Sequence, residues 1–247
     1  MIRFDNFEVV GLEPAIRGMR NPKNSWKRSD SLFFYDGDTG YFITGEADDE
    51  SGHEPDEDIG YFIGGVHLGS GDRHLMTNLA KNGSVHAKYR RMIVVYVDII
   101  APLYWWKEFD TYKVGTVSNS CSTMHTIADK LFTREDFSYE HLGVITKDET
   151  GDTIMQNLWI ESLKKTIEVL NIARRFYFET EDPVLKKQYW WQMIQLLPTS
   201  YNQKRTIMLN YEVLANIYKS RKNHKLDEWH RFCDWIEQLP YSSLITV

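Results

Sequence analysis

The sequence has little of what would place the protein outside the cell, in a membrane or on a nucleic acid. Its two cysteines, Cys121 and Cys233, are too few for a disulfide scaffold and indicate a reduced, cytoplasmic protein. Asp98 interrupts the most apolar stretch, Met92–Pro102, whereas about 20 apolar residues are needed to cross a bilayer. The 29 basic residues are outnumbered by 35 acidic ones, and the net charge is −6. This balance predicts no membrane partner and no nucleic-acid partner, and it leaves room for a local basic pocket that holds one small anion.

The commonest local signatures of catalysis are also missing. The sequence contains no glycine-rich dinucleotide fingerprint, no phosphate-binding loop and no Gly-x-Ser-x-Gly nucleophile elbow. His53, His141 and His230 have no ligand-like neighbours at the spacing that metal sites use. We therefore predict no metal site.

The composition is that of a folded domain. Hydrophobic residues make up 42% of the chain and aromatic residues 14%, which is enough for a packed core and unlike a disordered protein. No internal repeat, low-complexity tract or linker divides the 247 residues. We therefore predict a single domain over residues 1–247.

The first half of the chain has the pattern of strands and loops. The elements predicted there are a β-hairpin at Ser31–Thr44, an acidic exposed loop at Glu46–Asp58, a short helix at Arg73–Lys81, a buried strand at Met92–Ile100 and a helix within Ala101–Lys113 that opens at Pro102. The second half has helical spacing of its apolar residues. The helices predicted there are Thr153–Phe178, Val184–Leu197, Leu209–Ser220 and Leu226–Leu239. Together these patterns predict an α+β fold with a mixed or antiparallel sheet and a helical second half.

Two segments are rich in polar residues that could bind a ligand, Asn82–His125 and Leu196–Trp229. In the second segment Asn210, Asn216, Arg221 and His224 interrupt a pattern that otherwise suits packing. Amide side chains offer a donor and an acceptor together, which suits the edge of a heterocycle, and the arginine fork suits phosphate. The alternative is that these residues are exposed helix positions and caps.

In their order and spacing, these two segments resemble the flavin-dependent thymidylate synthases. In that family a Gly-His pair precedes a strand, an Ala-Pro-like step leads into a helix with an Arg-His-Arg core, and a serine signature follows. A later Leu-Pro precedes a helix with Asn, Asn, Arg and His at set spacings. The matching positions here are His86, Ala101-Pro102, Asn119, Ser122, Leu197-Pro198, Asn210, Asn216, Arg221 and His224.

The chain departs from the family pattern at several cationic positions. Thr111-Tyr112-Lys113 stands in place of Arg-His-Arg, with a one-residue insertion after Lys113, and Met124-His125 replaces the Arg-Tyr that ends the serine signature. Arg91 occupies a glutamate position, and Ile194 occupies an arginine position. Lys113 could take over part of the lost cationic contact, although a lysine cannot reproduce a bidentate fork.

The resemblance implies a substrate, a set of cofactors and an assembly. The substrate would be a pyrimidine deoxynucleotide such as dUMP, and the cofactors FAD, NADPH and methylene-tetrahydrofolate. The reaction would be a methyltransferase-type reductive transfer of one carbon to C5 of uracil, in a homotetramer whose sites are shared between subunits.

The resemblance also implies roles for particular residues. Ser122 and Arg221 would be the catalytic and substrate-binding pair, with Arg221 on the nucleotide and Ser122 beside the pyrimidine. The cofactor-binding residues would be His86, Lys113, Asn119, Asn210, Asn216 and His224. Two alternatives remain: another C5-modifying enzyme for pyrimidine nucleotides, and a non-catalytic nucleotide-binding or assembly protein on the same fold.

Overall fold

The computed structural model describes residues 2–34, 65–147, 149–150 and 153–247. The strands are β1 (Arg3–Val10), β2 (Leu32–Phe33), β3 (Val66–His67), β4 (Val94–Pro102), β5 (Val117–Ser120), β6 (Val144–Lys147), β7 (Thr153–Gln156) and β8 (Asn202–Asn210). The helices are α1 (Leu12–Arg20), α2 (Ser70–Lys81), α3 (Leu103–Phe109), α4 (Thr123–Thr126), α5 (Leu158–Glu179), α6 (Pro183–Leu196), α7 (Tyr211–Arg221), α8 (Asp227–Glu237) and α9 (Ser243–Thr246). The elements confirm the predicted α+β class. Within the described ranges, every helix is too short or too polar to cross a lipid bilayer.

The main sheet has four strands in the order β1-β4-β8-β5. Strands β5 and β8 are antiparallel, and their register runs from Val117 opposite Met208 to Ser120 opposite Arg205. In β4 every second residue from Val95 to Ala101 is fully buried, which is the period of a strand with one face on the core. The predicted buried strand is thus confirmed, two residues further along the chain, and α3 opens directly after Pro102 as predicted.

An aromatic cluster covers α3 and the start of α8. Trp105 is fully buried, and its ring centroid lies 4.8 Å from that of Trp229 and 4.9 Å from that of Trp106. Phe109 and Phe232 complete the cluster. Aromatic pairs of this kind stabilise a core by about 0.5–1.5 kcal/mol each beyond their buried area. The cluster fixes the position of α3, which carries Glu108.

Several predicted boundaries were wrong. The helix predicted for Thr153–Phe178 begins only at Leu158, because Thr153–Gln156 forms β7 and pairs antiparallel with β6. The helix predicted for Leu209–Ser220 begins at Tyr211, because Leu209 and Asn210 end strand β8. The other predicted helices are confirmed with small shifts at their ends: Arg73–Lys81 corresponds to α2, Val184–Leu197 to α6 and Leu226–Leu239 to α8. Strand β2, at the start of the predicted hairpin, pairs with β3, while the hairpin's turn and second strand and the acidic loop Glu46–Asp58 lie outside the described residues.

The chain divides into two compact units. The first comprises Met1–Asn6, Val97–Met208 and Asn223–Phe232, and the second comprises Phe7–Tyr96, Leu209–Lys222 and Cys233–Val247. The first unit contains a helical core in which α5 packs against α6. Residues of this core include Phe132, Phe137, Leu170 and Met193.

The second unit contains a buried ion pair at the start of α2. The Asp72 carboxylate is fully buried, and its Oδ1 accepts a hydrogen bond from Nε of Arg20 at 2.6 Å and lies 2.6 Å from Nη2 of the same ion pair. Its Oδ2 accepts from the hydroxyls of Ser29 and Ser31 at 2.6 and 2.7 Å. In return, Asp30 accepts from the amides of Gly71 and Asp72 and so caps α2. The carboxylates of Asp30 and Asp72 therefore link the loop at residues 29–31 to helix α2.

Candidate functional site

The Ser122 turn follows the edge strand β5 in the first unit. The Ser122 hydroxyl caps α4 by accepting from the amide of His125 at 3.4 Å, and the side chain is half-buried. The carbonyl of Lys204 accepts from the amide of Cys121 at 2.9 Å, and this bond ties the turn to β8. The turn thus presents a serine hydroxyl at the end of a strand, held by its own backbone. The role of Ser122 in substrate binding stays a prediction.

Asn119 is the penultimate residue of the same strand, and its side chain is exposed. It stands opposite Thr206 of β8. Across the neighbouring strand, the Thr206 hydroxyl donates to Oδ1 of Asp98 at 2.6 Å. Oδ2 of Asp98 accepts from Nζ of Lys204 at 2.9 Å and from Nδ2 of Asn6 at 3.0 Å. A row of polar side chains therefore crosses the sheet beside Asn119.

The hydrogen bonds in this row lower the pKa of Asp98 to about 2, with the bond from Thr206 as the largest cause, followed by those from Lys204 and Asn6. The carboxylate is therefore charged at neutral pH. In the sequence, Asp98 is visible only as an interruption of an apolar strand, and its partners lie on other strands. The alternation of the strand is the one signal that could have placed it on the solvent face.

Lys113 follows α3 in the stretch that replaces Arg-His-Arg. Its side chain is exposed, as is that of Thr111, whose hydroxyl donates to the carbonyl of Glu108 at 2.7 Å. The stretch therefore turns away from α3 with a lysine at the surface and no guanidinium of its own. A guanidinium is nevertheless nearby, because Arg205 of β8 forms an ion pair with Asp110 at 2.7 Å.

His224 lies against Glu108. Its Nδ1 accepts from the amide of Leu226 at 3.2 Å, so the ring proton of the neutral form resides on Nε2. That Nε2 is 3.4 Å from Oε2 of Glu108, which also accepts from the indole N–H of Trp229 at 3.0 Å. Both ring nitrogens of the predicted flavin residue thus have protein partners. Glu108, a half-buried carboxylate oriented by two donors, is a residue that the sequence analysis missed.

Asn210 is the last residue of β8 and not a helix residue as predicted. Its backbone is extended, with φ −121° and ψ 168°, and its Oδ1 accepts from the amide of Val213 at 3.0 Å. Asparagine is among the best residues at this position because its side chain satisfies an orphan amide of the first turn. The sequence left open that these polar residues are helix caps, and Asn210 is one.

Helix α7 carries the other two predicted residues of this segment. Asn216 is exposed, and Arg221 is the half-buried last residue of the helix. Five residues separate them, which places them about 140° apart around the helix axis. The helix therefore presents the amide and the guanidinium on different faces.

His86 is exposed in the turn between α2 and β4, where its amide donates to the carbonyl of Gly83 at 3.0 Å. Gly83 has a φ of +96°, a conformation that favours glycine. The predicted residues are divided equally between the units: Lys113, Asn119, Ser122 and His224 lie in the first, and His86, Asn210, Asn216 and Arg221 in the second. The described part of the chain holds no group of three or more His, Cys, Asp or Glu side chains that could ligate a metal.

Solved structures similar to the chain agree with the resemblance. The flavin-dependent thymidylate synthase ThyX of Helicobacter pylori, complexed with FAD and dUMP, matches with a TM-score of 0.58 and 14% identity over 99% of this chain and 97% of that chain. A second structure of that enzyme with FAD and dUMP gives a TM-score of 0.58 and 15% identity over 100% and 97%. The UMP/dUMP methylase PolB of Streptomyces cacaoi, bound with 5-Br dUMP, gives 0.52 and 11% over 96% and 88%.

The similarity lies in the three-dimensional structure. No protein-family model matches the chain, and no curated protein matches it significantly. The arrangement of strands and helices nevertheless extends over nearly the full length of both enzymes. The chain therefore has the α+β fold of the flavin-dependent thymidylate synthases, as its sequence resemblance predicts.

Proposed function

We propose that the chain binds a pyrimidine deoxynucleotide and FAD and transfers a one-carbon unit reductively to C5 of uracil. The observation that carries this proposal is the match over nearly the whole chain to structures that hold FAD and dUMP, and to a UMP/dUMP methylase. A fold by itself does not determine a function, so the proposal also depends on the polar residues that the chain retains. In such chemistry the cofactor performs the difficult step, and the protein binds, orients and polarises the reactants.

Ser122 and Arg221 are the proposed nucleotide-binding pair. A guanidinium forms two parallel hydrogen bonds with a phosphate, and Arg221 occupies the end of α7 with its side chain half-buried. The Ser122 hydroxyl can donate to a pyrimidine carbonyl while its oxygen keeps accepting from His125.

The flavin side of the proposal uses two kinds of residue. His86, Lys113, Asn119 and Asn216 are exposed, and each is proposed to contact FAD. The Oδ1 of Asn210 and the Nδ1 of His224 each accept a hydrogen bond from a backbone amide of the protein. The donor that Asn210 can offer to FAD is therefore its Nδ2. When bound, FAD would supply hydride chemistry, and NADPH and methylene-tetrahydrofolate would complete the reaction that the resemblance implies.

We further propose that residues 1–247 act as one such domain within a homotetramer. Helices α5 and α6 support a protein–protein contact, because large apolar side chains remain exposed on them. These are Leu158, Trp159, Ile172, Phe176, Phe178, Val184, Leu185, Trp191 and Leu196. Large exposed apolar patches commonly mark interaction surfaces.

A non-catalytic nucleotide-binding protein is the second candidate. It is favoured by Thr111-Tyr112-Lys113, where the family has two arginines, because each lost charged hydrogen bond costs about 1.5–3 kcal/mol. A different C5-modifying enzyme for pyrimidine nucleotides is the third candidate.

Titration with FAD separates the proposed flavoenzyme from the non-catalytic candidate. We expect bound FAD to show a perturbed visible spectrum and quenched fluorescence, and we expect Asn216→Ala to weaken its binding by about three- to tenfold, the size of one neutral hydrogen bond. Asn78→Ala, an exposed asparagine on α2, is the matched control and should bind FAD like the wild type. A chain that binds dUMP but takes up no FAD would establish the non-catalytic candidate instead.

A further inference from the structure

Arg205 is held in one orientation by three different groups. Its Nη1 donates to Oδ1 of Asp110 at 2.7 Å, and its Nε donates to Oε1 of Gln203 at 3.0 Å. The guanidinium carbon lies 4.2 Å from the centroid of the buried Trp106 ring. Only 14% of the side chain is exposed. A lysine could keep one of these contacts but not all three, because it lacks the planar fork.

The contact with Arg205 determines which way the Gln203 amide points. Since Oε1 accepts from Arg205, Nε2 must face the opposite side. There it donates to the carbonyl of Cys121 at 2.9 Å and to the hydroxyl of Thr123 at 3.1 Å. These two residues flank Ser122. The terminal torsion of a glutamine is broad, so removing Arg205 removes one of the contacts that orient the amide toward the turn.

The other end of this hydrogen-bond network lies beside the stretch that stands in place of the family's Arg-His-Arg. Asp110 is the residue after α3 and directly precedes Thr111-Tyr112-Lys113. The hydrogen bonds Asp110–Arg205–Gln203 therefore join the stretch that has lost its arginines to the turn that carries Ser122. Arg205 belongs to no motif in the sequence. Its partner Asp110 lies 95 residues earlier in the chain, and its partner Gln203 lies two residues earlier.

We propose that Arg205 is a positioning residue that acts through Gln203 to hold the Ser122 turn in the conformation that binds the nucleotide. This inference rests on the proposed function for its ligand, but its structural part stands on the Asp110–Arg205–Gln203 contacts alone. Arg205 also restores a guanidinium to the region where the chain lacks the two arginines of the family.

A double-mutant cycle tests the inference by two readouts. Arg205→Lys and Gln203→Ala should each weaken dUMP binding about tenfold, and the double variant should be no weaker than either, because both remove the same support. Amide exchange of residues 121–126 should become faster in both variants without a matching loss in melting temperature. Lys81→Met, which removes an exposed cation of α2, is the control and should leave dUMP affinity and the exchange of the turn unchanged.

The possible outcomes distinguish this inference from the proposed function. If the wild type binds dUMP and the losses of the two single variants multiply in the double variant, Arg205 does not act through Gln203. If the wild type binds dUMP and both single variants bind equally well, the inference is wrong while the proposed function stands. If the wild type binds no dUMP, the proposed function fails, and unchanged exchange of residues 121–126 in Arg205→Lys and Gln203→Ala would then overturn the positioning role as well.

Discussion

Replacing Arg221 with alanine is expected to weaken dUMP binding by about thirty- to thousand-fold, or roughly 2–4 kcal/mol. The side chain is the half-buried last residue of α7, and in our proposal its fork holds the nucleotide phosphate through two hydrogen bonds. Arg221→Lys should recover only part of the loss, because an ammonium is a point charge without the fork. Calorimetric titration of dUMP into the three proteins measures the effect.

The matched control for Arg221 is Lys219, an exposed cation two residues earlier on the same helix. Lys219→Ala changes the net charge by the same amount and should leave the affinity within about twofold, as expected for a screened surface charge. If Arg221→Ala and Lys219→Ala have equal effects, Arg221 contributes only a general electrostatic field. Equal affinities in all four proteins would remove Arg221 from the site.

Asp72→Asn is expected to lower the free energy of unfolding by about 3–5 kcal/mol, since it leaves the buried Arg20 guanidinium without a counter-charge. Asparagine keeps the shape of the side chain, so the loss reports the charge and not a cavity. Chemical denaturation followed by circular dichroism measures it. Glu13→Gln, which disrupts the exposed pair of Glu13 and Arg17 at 3.8 Å, should cost under about 1 kcal/mol.

The Asp72 effect should also depend on pH. Burial by itself would raise the pKa of this carboxyl, but hydrogen bonds from Ser29, Ser31 and Arg20 and the charge of Arg20 outweigh it, and the pKa lies below the usual 3.8. The folded chain therefore binds fewer protons at Asp72 than the unfolded chain. Its contribution is present in full above the usual pKa and is lost as the pH falls through the lowered value. The wild type and Asp72→Asn should thus converge in stability in acid, and a constant difference between them would contradict this account.

The elements that were predicted correctly are those whose signal lies within one short stretch of the sequence. The buried strand β4 and the helix after Pro102 follow from a β-branched apolar run and from the backbone restriction of proline. Strand β7 was hidden because its apolar residues continue the periodicity of α5, and a four-residue strand cannot override that signal. Strand β8 did carry a period-two signal. Lys204 and Thr206 are exposed, whereas Ile207 and Leu209 are buried.

The candidate site shows the same limit. Ser122, Asn210 and Arg221 stand out in the sequence because they match a spaced motif. Glu108 and Arg205 do not, because their roles come from partners that the chain brings together only on folding. Glu108 accepts from Trp229, which is 121 residues away, and Arg205 pairs with Asp110 across 95 residues. A single sequence holds no record of such contacts, whereas a capping asparagine can be recognised from its neighbours.

The most direct test of the proposed function is the conversion of the nucleotide itself. The purified chain is incubated with dUMP, FAD, NADPH and methylene-tetrahydrofolate labelled with deuterium on the transferred carbon, and the nucleotide is then analysed by mass spectrometry. We expect a product whose uracil ring carries a labelled methyl group at C5, formed by the wild type and lost in Arg221→Ala. Unchanged dUMP in the presence of bound FAD and bound nucleotide would contradict the proposed reaction.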